Sequence, residues 1–207
     1  MANGRNRDHR SESLASLRDR KLRMTRTHLA ELALTLLLER GFDEVTVDEL
    51  AEAAGISRRT FFRYFPSKED VVIGTFDEPG DALLHELARR LEREPPLLAL
   101  RSTLEAIIET FGTDLARAQA TLHMIRHTPT LRGRFLVTQD DWTRRLATLL
   151  RARPPRRNPM IAELTARVAI AAIDTALVAW GERPQEDLRS IAKQVFDALG
   201  EVARDRE

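Results

Sequence analysis

The chain contains no cysteine among its 207 residues. That absence excludes disulfide scaffolds, thiolate zinc fingers, iron–sulfur clusters and cysteine nucleophiles. Nine glycines and nine prolines are too few for a collagen-like or low-complexity chain. No apolar run approaches the ~18–20 residues that cross a bilayer. The polar start MANGRNRDHRSES has no apolar stretch behind it, so it does not read as a signal peptide. Neither sign of charge dominates: 33 basic and 32 acidic side chains leave a net +1, and the global balance says nothing about nucleic acid. Hydrophobic residues make up 43% and charged residues 31%. This is enough apolar material for a core, and a soluble cytoplasmic protein is the expectation. The length allows one large domain or a small module joined to a bigger one.

Charge is nevertheless uneven along the chain. Between Met1 and Ala30, eight basic side chains oppose three acidic ones, a local balance of +5. A polar, basic leader of this kind reads as a flexible arm, either solvated or in contact with nucleic acid. Beyond it the pattern is helical, and the alternation at 42–47 is too short for a strand. Leu29, Leu32, Ala33, Leu36 and Leu37 form one apolar stripe, and Gly41 suits a left-handed cap after it. Thr46 and Glu49 have capping-box spacing, and Leu50, Ala51 and Ala54 form the inner side of the helix they open. Ser57 caps a helix from Arg58 to about Tyr64. Pro66 to Asp70 stop that helix and open a fourth, which runs through Val71, Val72 and Phe76 until Pro79-Gly80 breaks it. An amphipathic stretch at 82–91 follows, then a long helix over 97–127. Pro129 and Gly133 interrupt the pattern before a helix at 136–151, and two more cover 160–180 and 185–203. The fold class is all-α, with about nine helices and no sheet.

Two short helices joined at Ala54-Gly55-Ile56 make a helix-turn-helix, with Gly55 supplying the positive φ of the turn. The second helix of such a unit lies in the major groove with its N-terminal residues at base edges. Arg58 and Arg59 occupy its first turn, where the helix dipole disfavours cations, and an anionic partner would resolve that conflict. Residues 46–71, TVDELAEAAGISRRTFFRYFPSKEDV, resemble the DNA-binding module of the tetracycline-repressor (TetR) family of bacterial regulators. The resemblance reaches back to about Thr25. It is specific, because the capping box, the AxxAGIS turn, the T-F-x-x-Y-F block and the P-S-K-E-D start occur together and in order.

The resemblance implies a role for each matching residue. Thr46 would face a DNA phosphate at its helix N-terminus, beside the cap Ser57. Arg58, Arg59 and Thr60 fall at base-reading positions, and Tyr64 and Lys68 at phosphate-binding ones. Phe62 departs from the pattern, since tyrosine is common there; its ring can still pack on sugar or a thymine methyl. Phe61 and Phe65 read as core. The implied layout is an arm at 1–20, a DNA-binding domain at 21–68 and an effector-binding, dimerising domain at 69–207. The implied partners are palindromic double-stranded DNA, a small-molecule effector and a second copy of the chain, in a repressor of the cytoplasm and its nucleoid. The fourth helix, from Ser67 to Pro79-Gly80, would be the rod between the two parts.

The penultimate helix is apolar around most of its circumference, so it should be buried on more than one side. With the stripe of the last helix it suits a dimer interface through Ile170, Ile173, Leu177, Ile191, Val195 and Leu199. Asp174, alone in that apolar stretch, is expected at an edge or at the interface rather than at a ligand. Phe111, Leu115, Leu122, Met124, Phe135, Trp142 and Leu146 are candidate walls of an effector cavity, although each would equally suit a core. The segment around Phe135 and Trp142 loosely resembles regulators of acyl-CoA-like or other large apolar molecules. His123 and His127 have a spacing that can hold a metal, but no acidic neighbour completes a motif, so no metal or cofactor is expected. His85 has no assigned role. An architectural DNA-binding protein would not need the large part beyond the module. An enzyme would show a phosphate loop, a nucleophile elbow or paired carboxylates, and the sequence has none of these motifs.

Deleting the residues before Arg20 should lower DNA affinity without altering which base pairs are preferred, since a basic arm reads the minor groove poorly. Competition binding with operator variants checks this, and a changed base preference would contradict it.

Overall fold

Capping chemistry decides where the first helices start and stop. The computed structural model describes residues 24–110, 114–152, 158–183 and 185–204; the basic arm at 1–20, Phe111 and the loop at 153–157 lie outside them. Helix α1 (24–40) buries Leu29, Ala30, Ala33, Leu34 and Leu37. The expected stripe is corrected at one position: Leu32 is 40% exposed and Leu34 is buried in its place. Both rows fit helical spacing, so the packing partners choose between them. The chain turns at Gly41, with φ of 93°.

Helix α2 (Val47–Ala53) begins in a full capping box. The Thr46 N–H donates to Glu49 Oε2 at 2.8 Å, the Glu49 N–H donates to Thr46 Oγ1 at 3.3 Å, and Arg40 Nη1 meets Glu49 Oε1 at 2.6 Å. These contacts, the Thr46 N–H foremost and then its hydroxyl and Arg40, lower the Glu49 carboxyl from 4.5 to about 2. Gly55, at φ 66°, makes the turn into α3 (Arg58–Tyr64), whose first turn Ser57 caps by accepting from the Thr60 N–H at 3.2 Å. Helix α4 (Glu69–Ile73) follows a Ser67–Asp70 pair at 2.8 Å and ends in a 3-10 turn over Gly74–Phe76.

Compactness divides the chain between Thr75 and Phe76, whereas the resemblance places a boundary after residue 68. Val71, Val72 and Ile73 are fully buried, and none of them belongs to the C-terminal core.

The C-terminal unit contains α5 (Asp77–Arg90), α6 (Pro96–Thr110), α7 (Leu115–His127), α8 (Pro129–Ala152), α9 (Pro159–Glu182) and α10 (Leu188–Arg204). Three expectations need correction here. The fourth helix does not run to Pro79-Gly80; it stops at Ile73, so the expected rod is not one helix. Pro79 and Gly80 sit in the first turns of α5, where a proline costs no intrahelical hydrogen bond. The stretch 97–127 is two helices, because Asp114 starts α7 by accepting from the Arg117 N–H at 3.3 Å. Pro129 opens α8 as its first residue instead of interrupting a helix, and Gly133 lies within it. Among the described residues there is no strand, and no helix is long and apolar enough to cross a membrane.

Helix α9 packs on α6, α7, α8 and α10, while α5 packs on α6 and α8. Leu84, Leu87, Leu100, Leu104, Leu146 and Leu150 fill the space between them. The side chains of Ile107 and Ile108 on α6 lie outside the described residues. Gly80 has a steric reason to lack a side chain, since a Cβ there would stand 2.5 Å from Cζ2 of Trp142.

Two outcomes follow from these contacts. Alanine in place of a helical glycine ordinarily stabilises by ~1 kcal/mol. Gly80→Ala should instead destabilise by about 1–2 kcal/mol, because overpacking against the indole exceeds that gain; denaturant midpoints measure it. The Glu49 carboxyl should titrate near 2 by NMR and move toward 4.5 in Thr46→Val. Because the folded value is the lower one, the box stabilises fully above pH 4.5 and is lost as pH falls through about 2.

Candidate functional site

The outward face of α3 carries the residues that the sequence assigned to DNA. Arg58, Arg59 and Arg63 are exposed, Phe62 is 44% exposed, and Thr60 and Tyr64 are half-buried. Phe61 and Phe65 point the other way into the core, with ring centroids 5.3 Å apart. The arginines are braced against rings: Arg58 lies 5.6 Å from the Phe62 centroid and Arg63 5.0 Å from that of Tyr64.

Arg58 also has an ionic partner that spacing did not reveal. Its Nη1 donates to both carboxylate oxygens of Asp48 on α2, at 2.9 and 2.8 Å. The cationic first turn of α3 is therefore answered, in part, from inside the protein. With side chains 62% and 64% exposed, such a pair contributes at most ~1 kcal/mol, so it holds the guanidinium without locking it. Arg59 has no ion pair among the described residues.

The other assigned residues have structural duties. Thr46 Oγ1 donates to Glu49 Oε2 at 2.8 Å, and Ser57 Oγ lies 3.0 Å from Thr60 Oγ1, so both hydroxyls are engaged in caps. Lys68 is half-buried. Its Nζ donates to the carbonyls of Phe42 and Val45 at 2.6 and 3.0 Å and stands 4.2 Å from the Phe42 ring centroid. It ties the start of α4 to the α1–α2 turn, and an ammonium so placed keeps one N–H for another acceptor.

In the C-terminal unit a cavity opens between α5, α8 and α9. Of the expected walls, Phe135 and Trp142 line it. Leu122 and Leu146 belong to the core, Met124 is half-buried away from the cavity, and Leu115 is 40% exposed in the first turn of α7. Phe111 lies outside the described residues. Ile170, Ile173 and Leu177, expected at a dimer interface, line this cavity, and so does Asp174, expected at an edge or at the interface. The spacing 170, 173, 174, 177 is one helical face, so this grouping was available in the sequence. The contributions of Phe76, Gly80 and Gln139 were not, because they depend on which helices become neighbours.

The opposite side of α9 forms a larger groove with α10, of about 530 Å³. Val168, Ala171, Thr175 and Ala179 line it together with Ile191, Val195 and Leu199. At the end of α7, the His123 and His127 rings stand 4.2 Å apart. Glu182 Oε1 lies 3.0 Å from His127 Nε2 and 4.0 Å from His123 Nδ1. These three exposed groups are close enough to share a cation, but the Arg126 guanidinium, 3.8 Å from the same oxygen, competes for it. His85 Nδ1 lies 2.7 Å from the Asp81 carbonyl within its own helix.

Comparison with known proteins agrees with this division. The family model described as "Bacterial regulatory proteins, tetR family" matches residues 29–74, and the one described as "MftR C-terminal domain" matches residues 94–204. The chain is 36% identical over 143 residues to the transcriptional regulator TcmR of Streptomyces glaucescens, covering 66% of this chain and 63% of that regulator. It is 28% identical to MftR of Mycobacterium tuberculosis, a regulator named for mycofactocin biosynthesis, over 87% of this chain and 92% of the relative. Among solved structures, the TetR-family repressor FadR of Thermus thermophilus, in complex with lauroyl-CoA, superposes with a TM-score of 0.52 at 25% identity. That match covers 84% of this chain and 92% of the FadR chain. A helix-turn-helix capped at Thr46 and Ser57 and a helical C-terminal unit matched along its length together place the chain in the TetR family of transcriptional regulators, with a C-terminal domain of the MftR type.

Proposed function

We propose that the protein is a homodimeric repressor that holds a palindromic operator and releases it when a small apolar or acyl-CoA-like effector binds in the C-terminal unit. The observation that carries the reading is the outward face of α3, where Arg58, Arg59, Thr60 and Phe62 stand beyond the Gly55 turn with their backbone ends capped. Arg58 and Arg59 read base edges, Tyr64 and the remaining N–H of Lys68 hold phosphates, and Thr46 presents its helix N-terminus to the backbone. The α9–α10 groove suits a second copy, since its small and apolar side chains allow close helix packing. Two-fold symmetry then demands half-sites about one helical turn, ~34–36 Å, apart. The family repressor FadR of Thermus thermophilus is solved in complex with lauroyl-CoA, which supports a ligand inside this fold.

Footprinting should give discrete, two-fold protection, and uniform coverage would favour an architectural role instead. Arg58→Ala should cost about 1–3 kcal/mol and blur one base position. Asp48→Asn should do the opposite and tighten DNA binding up to about fivefold, because it frees the same guanidinium. Equal affinities of wild type and both variants in a binding titration would remove Arg58 from the interface.

Effector and operator must weaken each other by the same factor, and a coupling of ~1–3 kcal/mol is typical. Titrating lauroyl-CoA with and without saturating operator measures that factor. Lauroyl-CoA that binds equally well in both titrations is no inducer.

A further inference from the structure

Folding completes a donor set that local spacing leaves unfinished. His123 and His127 stand one turn apart near the end of α7, and Glu182 arrives at the end of α9, 55 residues beyond His127. A ring nitrogen of each histidine and a carboxylate oxygen of Glu182 lie within 4.8 Å of one another, the one such group of three among the described residues. His127 Nε2 is 3.0 Å and His123 Nδ1 is 4.0 Å from Glu182 Oε1. These separations bracket the ~3.3 Å between neighbouring donor atoms of a tetrahedral ion with bonds of about 2.0–2.1 Å.

The approach of the two helices is set by backbone. Gly181 is buried, and a Cβ there would stand 3.3 Å from Leu122 Cβ and 3.6 Å from the His123 nitrogen. The missing side chain therefore lets the end of α9 lie close against α7 beside His123. Trp180 is buried next to it, and its carbonyl accepts from Gln119 Nε2 of α7 at 3.4 Å. Glu182 is thus presented from an anchored stretch of chain, while the three side chains reach solvent and can close on an ion.

Without an ion these groups do little for one another. A carboxylate only accepts, so His127 Nε2 carries the hydrogen between them, and His123 at 4.0 Å is beyond hydrogen-bond reach. Arg126 Nε, 3.8 Å from the same oxygen, is also too far to donate to it. Two imidazoles and a carboxylate, with no thiolate, form a borderline donor set. Calcium and magnesium prefer oxygen shells and copper(I) prefers sulfur, so the set suits divalent zinc, nickel or cobalt.

We infer that His123, His127 and Glu182 bind one divalent ion of this class, with solvent completing its shell, and that the ion fastens the end of α7 to the end of α9. Binding releases the His127 Nε2 proton to solvent. The site is independent of the DNA-binding face and of any effector.

The test uses full-length, untagged protein stripped with a chelator and titrated with zinc chloride at pH 7.5 in a buffer that does not bind metal. Isothermal titration should show one ion per chain, and the melting temperature should rise with zinc. Magnesium under the same conditions should do neither. His127→Gln and Glu182→Gln keep hydrogen-bonding capacity, and each should weaken zinc at least about tenfold and remove the melting shift. Their metal-free circular dichroism should match wild type, since both side chains are exposed. Arg126→Gln should tighten zinc about two- to fivefold, because a cation beside the site opposes the ion. His85→Gln, on α5, should leave zinc affinity unchanged. The absence of zinc binding would overturn the inference. So would zinc affinity that survives in both His127→Gln and Glu182→Gln, or magnesium binding as tightly as zinc.

Discussion

Small side chains on α9 set the terms for the rest of the C-terminal unit. Ala162, Ala166, Ala169 and Ala176 are completely buried on this one helix. They let α6, α7, α8 and α10 approach a common element that leucines would have held further off. A helix so surrounded has little free circumference, and each remaining strip acquires a separate use. Ile170, Ile173, Asp174 and Leu177 face the cavity shared with α5 and α8, while Val168, Ala171 and Thr175 face the groove shared with α10. Cavity and groove are thus two sides of one helix, and the crossing geometry of α9 links a candidate ligand site to a candidate subunit contact.

The DNA-binding unit is governed by capping and by polar ties rather than by bulk. Thr46 and Ser57 fix the two ends that the turn at Gly55 must bring together, and Lys68 fastens the start of α4 to the carbonyls of Phe42 and Val45. Three positions that family resemblance reads as contacts to phosphate or its neighbourhood therefore also hold the module in shape. A substitution at any of them changes folding and binding together. Arg58 differs. Its exposed pair with Asp48 offsets the unfavourable charge at the head of α3 at low cost, so the guanidinium remains exchangeable.

The sequence alone determined whatever depends on neighbours along the chain. The capping box at Thr46, the positive-φ turns at Gly41 and Gly55, the division of α3 into outward Arg58, Arg59 and Phe62 and inward Phe61 and Phe65, and the all-helical class follow from local backbone chemistry and short periods, which a linear text records. Tertiary structure decided the rest. Leu34 replaced Leu32 in the core, Pro79 and Pro129 proved to lie in the first turns of helices rather than to break them, and Asp174 came to line a cavity. In each case two placements satisfied the same local rule. Only the elements brought alongside from distant sequence, which supply the apolar surface, the steric limit or the hydrogen-bond partner, could choose between them.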